Sequence, residues 1–317
     1  MAKSNFDGIR FHNMDSEGNL IGDKFGYLAY WKWQLTRKSK PWPRKVKYKQ
    51  YPKPEASSQD LKITYINHAT FLIQINGINI LTDPVYARGI SPVKFFGPKR
   101  VHRPGVLFRH LPKIDYVLIS HNHFDHMCIP TIKKLVKKHN PIFILGDGNA
   151  RYIEKITYKF IQLRWDDSHK IAENLEFFFL RARHWSRRTP FDTNIALWGA
   201  FAIKSPTKNI YFAGDTGYGD HFVEARQKFE KFDVALLPIG AYEPEYFMHE
   251  YHNNPSEAVQ IHLDLNATVS IPMHFNTFKL SDEGIDEPLL KLNDELVKRG
   301  MPQNTFCVLE PGEDRIF

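Results

Sequence analysis

Residues 120–126 read Ser120-His121-Asn122-His123-Phe124-Asp125-His126, SHNHFDH, which sets four potential metal ligands within six positions. The apolar run before it, IDYVLIS (114–120), reads as a buried strand. His121 and His123 are two apart, and in an extended segment residues i and i+2 point the same way, so both imidazoles reach one ion. Asp125 and His126 follow a turn later and face a second ion beside it. A loop leaving a strand end presents such side chains into a cleft. An apolar strand running straight into the cluster argues against a chance group of histidines on a solvated loop. Imidazole and carboxylate suit Zn, Mn, Fe or Ni. Nearby Cys128 follows apolar Met127 and reads as packing.

Two ions need more ligands than these four. Three later residues stand in the same kind of place: His184 in FFFLRARHW (177–185), Asp215 in NIYFAGD (209–215) and His274 in TVSIPMH (268–274). Each follows an apolar run and precedes a polar or turn-forming segment, such as Thr216-Gly217-Tyr218-Gly219 after Asp215. Their shared position favours one common site over three separate structural polar residues.

The pattern around these points alternates strands and helices. Residues 61–84 read as two or three strands with Asn76-Gly77 as a hairpin turn. Residues 91–106 read as a loop, 129–139 as a helix, 141–146 as a strand, with a short helix from Asn149. Strands are expected at 175–182, 195–203, 209–214, 233–240, 268–275 and, last, 305–311. Helices are expected at 221–232, 254–265 and 287–300, the middle one opened by Asn254 and Pro255. Two β-rich halves, each followed by helices, predict an α/β fold: a four-layer αββα sandwich with two sheets back to back.

The chain has 317 residues, 42% hydrophobic and 25% charged, which are ordinary globular values. It lacks the run of about 18 apolar residues that a spanning helix needs. The opening MAKSNFDGIRFHN has no apolar stretch of the secretory kind. Two cysteines make no disulfide framework, so a reduced, cytoplasmic setting is expected. The net charge of +8 is all in residues 1–54, where 12 Lys and Arg face 4 Asp and Glu. We therefore divide the chain into a basic, aromatic arm packed on the main domain (1–60) and that main domain itself (61–317). The arm carries YLAYWKWQLTRKSKPWPRKVKYKQYPKP (27–54). One reading has it meet an anionic surface, with Trp31, Trp33 and Trp42 in a lipid headgroup layer. The other has its aromatics pack on the domain while the lysines stay solvated. Charge confined to one arm, without an RNA-binding motif, argues against a nucleic-acid partner.

SHNHFDH together with His184, FAGDTGY (212–218) and His274 resembles the metallo-β-lactamase fold superfamily. Within it, the chain is similar to the N-acyl-phosphatidylethanolamine-hydrolysing phospholipase D family and its bacterial relatives. The similar segments are INHATFLIQINGINILTDPVY (66–86), GPKR (97–100), RHWSRRTPFDTNIALWGAFAI (183–203), LLPIGAYEP (236–244) and MHFNTF (273–278). The His-x-His-x-Asp-His pattern specifies only the superfamily; GDTGY with LPIGAYEP is narrower.

The resemblance implies two divalent ions, most readily Zn2+. His121, His123 and His184 would hold the first and Asp125, His126 and His274 the second, with Asp215 bridging. Asp125 and Asp215 would be the catalytic carboxylates, acting on a metal-bridging hydroxide that attacks without a covalent enzyme intermediate. His68 and Asp83 resemble residues that support ligands from behind. Lys99, Arg100, Arg103, Arg187 and Arg188 are candidate phosphate contacts, and Tyr218 and Tyr242 candidate substrate contacts. Relatives that reduce oxygen or nitric oxide carry Glu where this chain has His123, so hydrolysis is expected. The implied activity is a phospholipase D-type phosphodiesterase on N-acyl-phosphatidylethanolamine or a related phospholipid, in a protein expected to be cytoplasmic or peripheral at the inner membrane face. The alternatives are a lactonase, similar to ascorbate-6-phosphate lactonase, and a nuclease. Metal identity, acyl-chain preference and oligomeric state stay open.

Overall fold

In the computed structural model, the described residues are 5–15, 17–21, 27–93, 96–172 and 174–317; the side chains of residues 27–31 and 172 lie outside the description. The N-terminal part holds a two-stranded ribbon, β1 (Asn13–Met14) with β2 (Leu20–Ile21), and helix α1 (Tyr27–Thr36). The helix falls inside the basic arm, where charge and proline had concealed it.

The next segment forms three antiparallel strands, β3 (Lys62–Asn67), β4 (Thr70–Ile75) and β5 (Ile78–Thr82). Asn76 and Gly77 both have positive φ, at 52° and 77°, which is the two-residue hairpin turn expected of Asn-Gly. Parallel strands β6 (Tyr116–Ile119), β7 (Ile142–Gly146) and β8 (Phe160–Leu163) extend this sheet, and α2 (Ile129–Lys138) crosses over between β6 and β7. Alternation along the strands divides the packing. Leu118 and Ile144 face the second sheet, while Val117, Ile119, Phe143 and Leu145 face Ile132 and Leu135 of α2.

The second sheet has the same plan. Strands β9 (Ser168–Ala172), β10 (Leu175–Leu180), β11 (Ala200–Lys204) and β12 (Asn209–Phe212) are antiparallel neighbours. After α3 (His221–Phe229), β13 (Phe232–Pro238) adds in parallel; after α4 (Glu245–Met248) and α5 (Pro255–Asp264), so does β14 (Ala267–Met273). Asn254 caps α5 through a reciprocal box with Glu257. Helix α6 (Glu287–Lys298) packs on α5. The inner faces of both sheets share one core built from Phe71, Phe177, Phe179, Phe201, Tyr211 and their neighbours. The architecture is the αββα sandwich expected.

Two strand expectations fail. Residues 305–311 make a single bridge, Phe306 to Ser270, and then turn at Pro311-Gly312. The last strand is β15 (Asp314–Ile316), which crosses to pair with β3 of the first sheet. Residues 195–199 are not a strand either. Leu197 N–H donates to Asp147 O and Gly199 N–H to Ser120 O, so this backbone bonds across to the first sheet behind the SHNHFDH loop. Among the described residues no helix is long and apolar enough to cross a membrane.

Candidate metal centre

The backbone turns sharply at three of the strand ends that build the site. His68, Asp83 and His274 each leave their strand with positive φ, at 51°, 31° and 60°, in a region that non-glycine residues rarely occupy. Such conformations persist where the surroundings over-determine them. Gly214 (φ 61°) permits the approach of the Asp215 loop, because a Cβ there would lie 2.5 Å from Ser120 Cβ.

Two triads of donor atoms result. In the first, His123 Nδ1 lies 2.9 Å from His121 Nε2 and 3.2 Å from His184 Nε2. In the second, Asp125 Oδ2 lies 3.5 Å from both His126 Nε2 and His274 Nε2. Asp215 Oδ2 sits between them, 3.2 Å from His126, 3.1 Å from His274, and 3.9 Å from both His121 and His184. All seven sequence-derived ligands are thus brought together. Zn–N bonds of about 2.0–2.1 Å in tetrahedral array set nitrogens about 3.3 Å apart, close to the spacing of the first triad. His126 Nε2, His274 Nε2 and Asp215 Oδ1 are buried without a hydrogen-bond partner, as lone pairs awaiting a cation would be. The donor set fits divalent metal.

A polar layer behind the ligands fixes which ring nitrogen faces inward. Ser120 Oγ donates to Asp83 Oδ2 (2.6 Å) and accepts from His121 Nδ1 (2.9 Å), leaving Nε2 of His121 toward the site. His126 Nδ1 donates to the same Asp83 oxygen (2.6 Å), and His184 Nδ1 donates to Tyr251 O (2.9 Å). His68 Nε2 donates to Asp125 Oδ2 (2.9 Å). These contacts select tautomers and raise ligand basicity.

Charge in the site is strongly coupled. Burial would raise the carboxyl of Asp215, but His126 and His274 outweigh it and hold it well below the ordinary range. Burial likewise opposes charge on His274, yet Asp215 and Asp125 raise its pKa to about 9. His126 is raised in the same way, while burial lowers His123 to about 3. A divalent cation bound here would take the place of protons on these imidazoles, since a metal-ligating histidine must be neutral.

Two contributors escaped the sequence reading. His252 Nδ1 lies 3.9 Å from Asp215 Oδ2, and burial lowers its pKa to about 4. It sits in EYHNNP (250–255), without the strand-end position that marked the others. Asn13, from β1, grips the backbone of His184 from both sides: Nδ2 donates to His184 O (2.8 Å), and Oδ1 accepts from His184 N–H (3.2 Å). Nothing in the sequence near Asn13 signals this.

Several candidate substrate residues lie elsewhere. Arg100 donates to Val85 O and Ala87 O, and Arg188 to Asn122 O and Met127 O, so both guanidinium groups serve the backbone. Lys99 and Arg103 are exposed. Tyr218 donates to Asp264 (2.7 Å), and Tyr242 is fully buried. None of these six lines the cavity above the metal centre; Arg187 does. That cavity holds about 440 Å³, with His123, Asp125, Asp215, His252 and His274 at its floor.

Residues 78–275 match the family model of the β-lactamase superfamily domain. The chain belongs to the metallo-β-lactamase superfamily. It is 36% identical to an uncharacterised protein of Mycobacterium tuberculosis over 80% of this chain and 68% of that one. It is 32% identical to N-acyl-phosphatidylethanolamine-hydrolyzing phospholipase D 1 of Caenorhabditis elegans, over 81% and 76%. Among solved structures of metallo-β-lactamase fold proteins, isothiocyanate hydrolase from Delia radicum gut bacteria superposes with a TM-score of 0.65 at 19% identity, covering 81% of this chain and 99% of that one. As a metallo-β-lactamase fold protein with these His and Asp clusters, the chain is a metal-dependent hydrolase.

Proposed function

We propose that this hydrolase cleaves the phosphodiester of N-acyl-phosphatidylethanolamine or a related phospholipid, on the glycerol-distal side of the phosphate, using two metal ions. The observation that carries this reading is the cavity itself: a floor of metal ligands under walls of Trp33, Trp185, Phe247, Met248 and Leu280. A polar reacting centre beneath apolar walls suits a lipid better than a small polar ester. The similarity to the nematode phospholipase D supports the same substrate class.

Two divalent ions held by the two triads and Asp215 would supply Lewis acidity at the phosphoryl oxygens and a hydroxide nucleophile at neutral pH. The chain's own residues do the rest. Asp125, steadied by His68, offers a carboxylate oxygen to the proton of the attacking water. Arg187, stacked over Trp185 at 4.9 Å, sets a cation in the wall for the phosphate. The P–O bond to the ethanolamine oxygen breaks as the water oxygen bonds to phosphorus, and the leaving oxygen takes up a proton.

A substrate panel tests this. Metal-loaded protein should hydrolyse N-acyl-phosphatidylethanolamine, lose that activity on chelation, and regain it with Zn2+. Opening of soluble lactones with every phosphodiester left intact would overturn the assignment.

The same reading gives the arm's exposed cations, among them Lys38, Lys45 and Lys47, an anionic bilayer to meet. Charge reversal at these three should weaken binding to anionic vesicles, most visibly at low salt.

A further inference from the structure

We propose that Trp33 of the N-terminal arm determines substrate selection by forming the wall against which an extended alkyl chain packs. This rests on reading the cavity as a phospholipid site.

Trp33 lines the cavity beside Gln34 and is 4% exposed, whereas Leu35, two residues on, is 85% exposed. The helix therefore turns its indole inward. The ring is held on several sides. It stacks on Phe247, centroids 5.5 Å apart at 28°. Its Nε1 donates to Asp282 Oδ2 (2.6 Å). Arg37 lies over the same ring at 4.7 Å and donates to the other Asp282 oxygen (2.9 Å). One carboxylate thus fixes both the polar edge of the indole and the cation covering it. With its N–H engaged, the ring offers the cavity apolar surface at little conformational cost.

The position separates selection from chemistry. Trp33 is not among the metal ligands or the residues that orient them. It also precedes residues 78–275, the part that matches the superfamily domain, so the shared metal chemistry is built without it. A wall added from outside that domain acts on what enters. With Trp185, Phe247, Met248, Tyr251 and Leu280 it encloses a space whose chemistry favours a hydrocarbon chain over a polar group. Of the two readings of the arm's aromatics, a lipid surface or packing on the domain, Trp33 takes the second.

The test is calorimetric titration of the metal-loaded full chain with N-lauroylethanolamine and N-butyrylethanolamine, neither of which contains phosphorus. Wild-type protein should prefer the lauroyl ligand. Trp33→Ala should weaken that ligand about tenfold and leave the butyryl ligand within about twofold, the loss of one buried aromatic wall. Asp282→Asn, which loosens the same ring, should shift the ratio in the same direction. Should Trp33→Ala melt below the assay temperature, Trp33→Phe decides, with a smaller loss confined to the lauroyl ligand. An unchanged ratio in a folded variant, equal losses for both ligands, or a wild type without chain-length preference would each overturn the inference. Phosphodiester hydrolysis is scored separately. A protein that discriminates chain length through Trp33 yet cleaves no phosphodiester refutes the proposed reaction and leaves the inference standing.

Discussion

Asp83 shows how much a single carboxylate organises. Its Oδ2 accepts from both His126 and Ser120, and through Ser120 it sets the tautomer of His121, so one side chain orients a ligand from each triad. Loss of such support typically costs 10–100-fold in metal affinity. Asp83→Ala is expected to lose affinity by about that factor in competition with a chromogenic chelator. Undiminished affinity would show that the ligands orient themselves. Asn13 offers a second measurement. Asn13→Ala leaves the buried N–H and C=O of His184 without these partners and should cost about 1–3 kcal/mol in urea denaturation. LTDP (81–84) and the lone Asn13 look alike as strand-edge polar residues. Only resemblance marked Asp83, and nothing marked Asn13, because its contact spans 171 positions.

Among the elements, the loop after β6 is the most consequential. It must hold His121, His123, Asp125 and His126 at four different angles with little regular backbone bonding. Arg188 does much of this: its Nη1 donates to Asn122 O (2.7 Å) and Met127 O (2.8 Å), and its plane lies 4.2 Å from the Phe124 ring. Asp192 in turn accepts from the Arg188 N–H and from Tyr152 Oη. Arg188→Met keeps the bulk and removes the donors. It should destabilise the fold by about 1–3 kcal/mol and speed metal loss to chelator. Normal metal retention in that variant would show that the loop is held by its ligands alone. The SHNHFDH loop was legible because strand and ligands are contiguous. Arg188 suggested a phosphate contact because an arginine beside a metal ligand looks the same whether it faces inward or outward. Residues 305–311 misled for a similar reason: their apolar run is real, but Phe306, Cys307 and Leu309 are buried against the second sheet with one bridge and no ladder.

For the whole molecule, the arm and the buried histidines carry predictions. Phe11 and Trp33 belong to the buried core residues, and Trp42, Tyr48 and Tyr51 bond to Glu283, Asn276 and Glu310. Deleting residues 1–60 should therefore lower the melting temperature, beyond any effect on vesicle binding. A truncated protein that melts like the full chain would show the arm to be an appendage. Acid should also destabilise. Burial lowers His102 and His262 from 6.5 to about 4, so between these values the unfolded chain binds protons that the folded protein refuses. The contribution of these two histidines should be level above about pH 6.5, fall as pH drops toward 4, and level again below. Each histidine contributes at most about 3 kcal/mol. His262→Gln should flatten the dependence in urea midpoints measured across that range. An identical slope in the variant would place the titration elsewhere.

Sequence alone determined what is local and periodic. Apolar alternation, Asn-Gly turn chemistry and the capped helix starts specified most strands and helices. Ligand spacing marked four of the seven side chains that converge, and the strand-end placement of His184, Asp215 and His274 pointed to the other three. Folding decided which polar residues serve the backbone and which face the cavity, and it brought in His252 and Asn13. It also turned the aromatics at 33 and 42 toward the domain, while Lys32, Lys38 and Arg44 stayed in water. The physical reason is that periodicity reports whether a residue is buried, but not against what. Contacts across more than a hundred residues depend on how two sheets stack, and no local pattern encodes that.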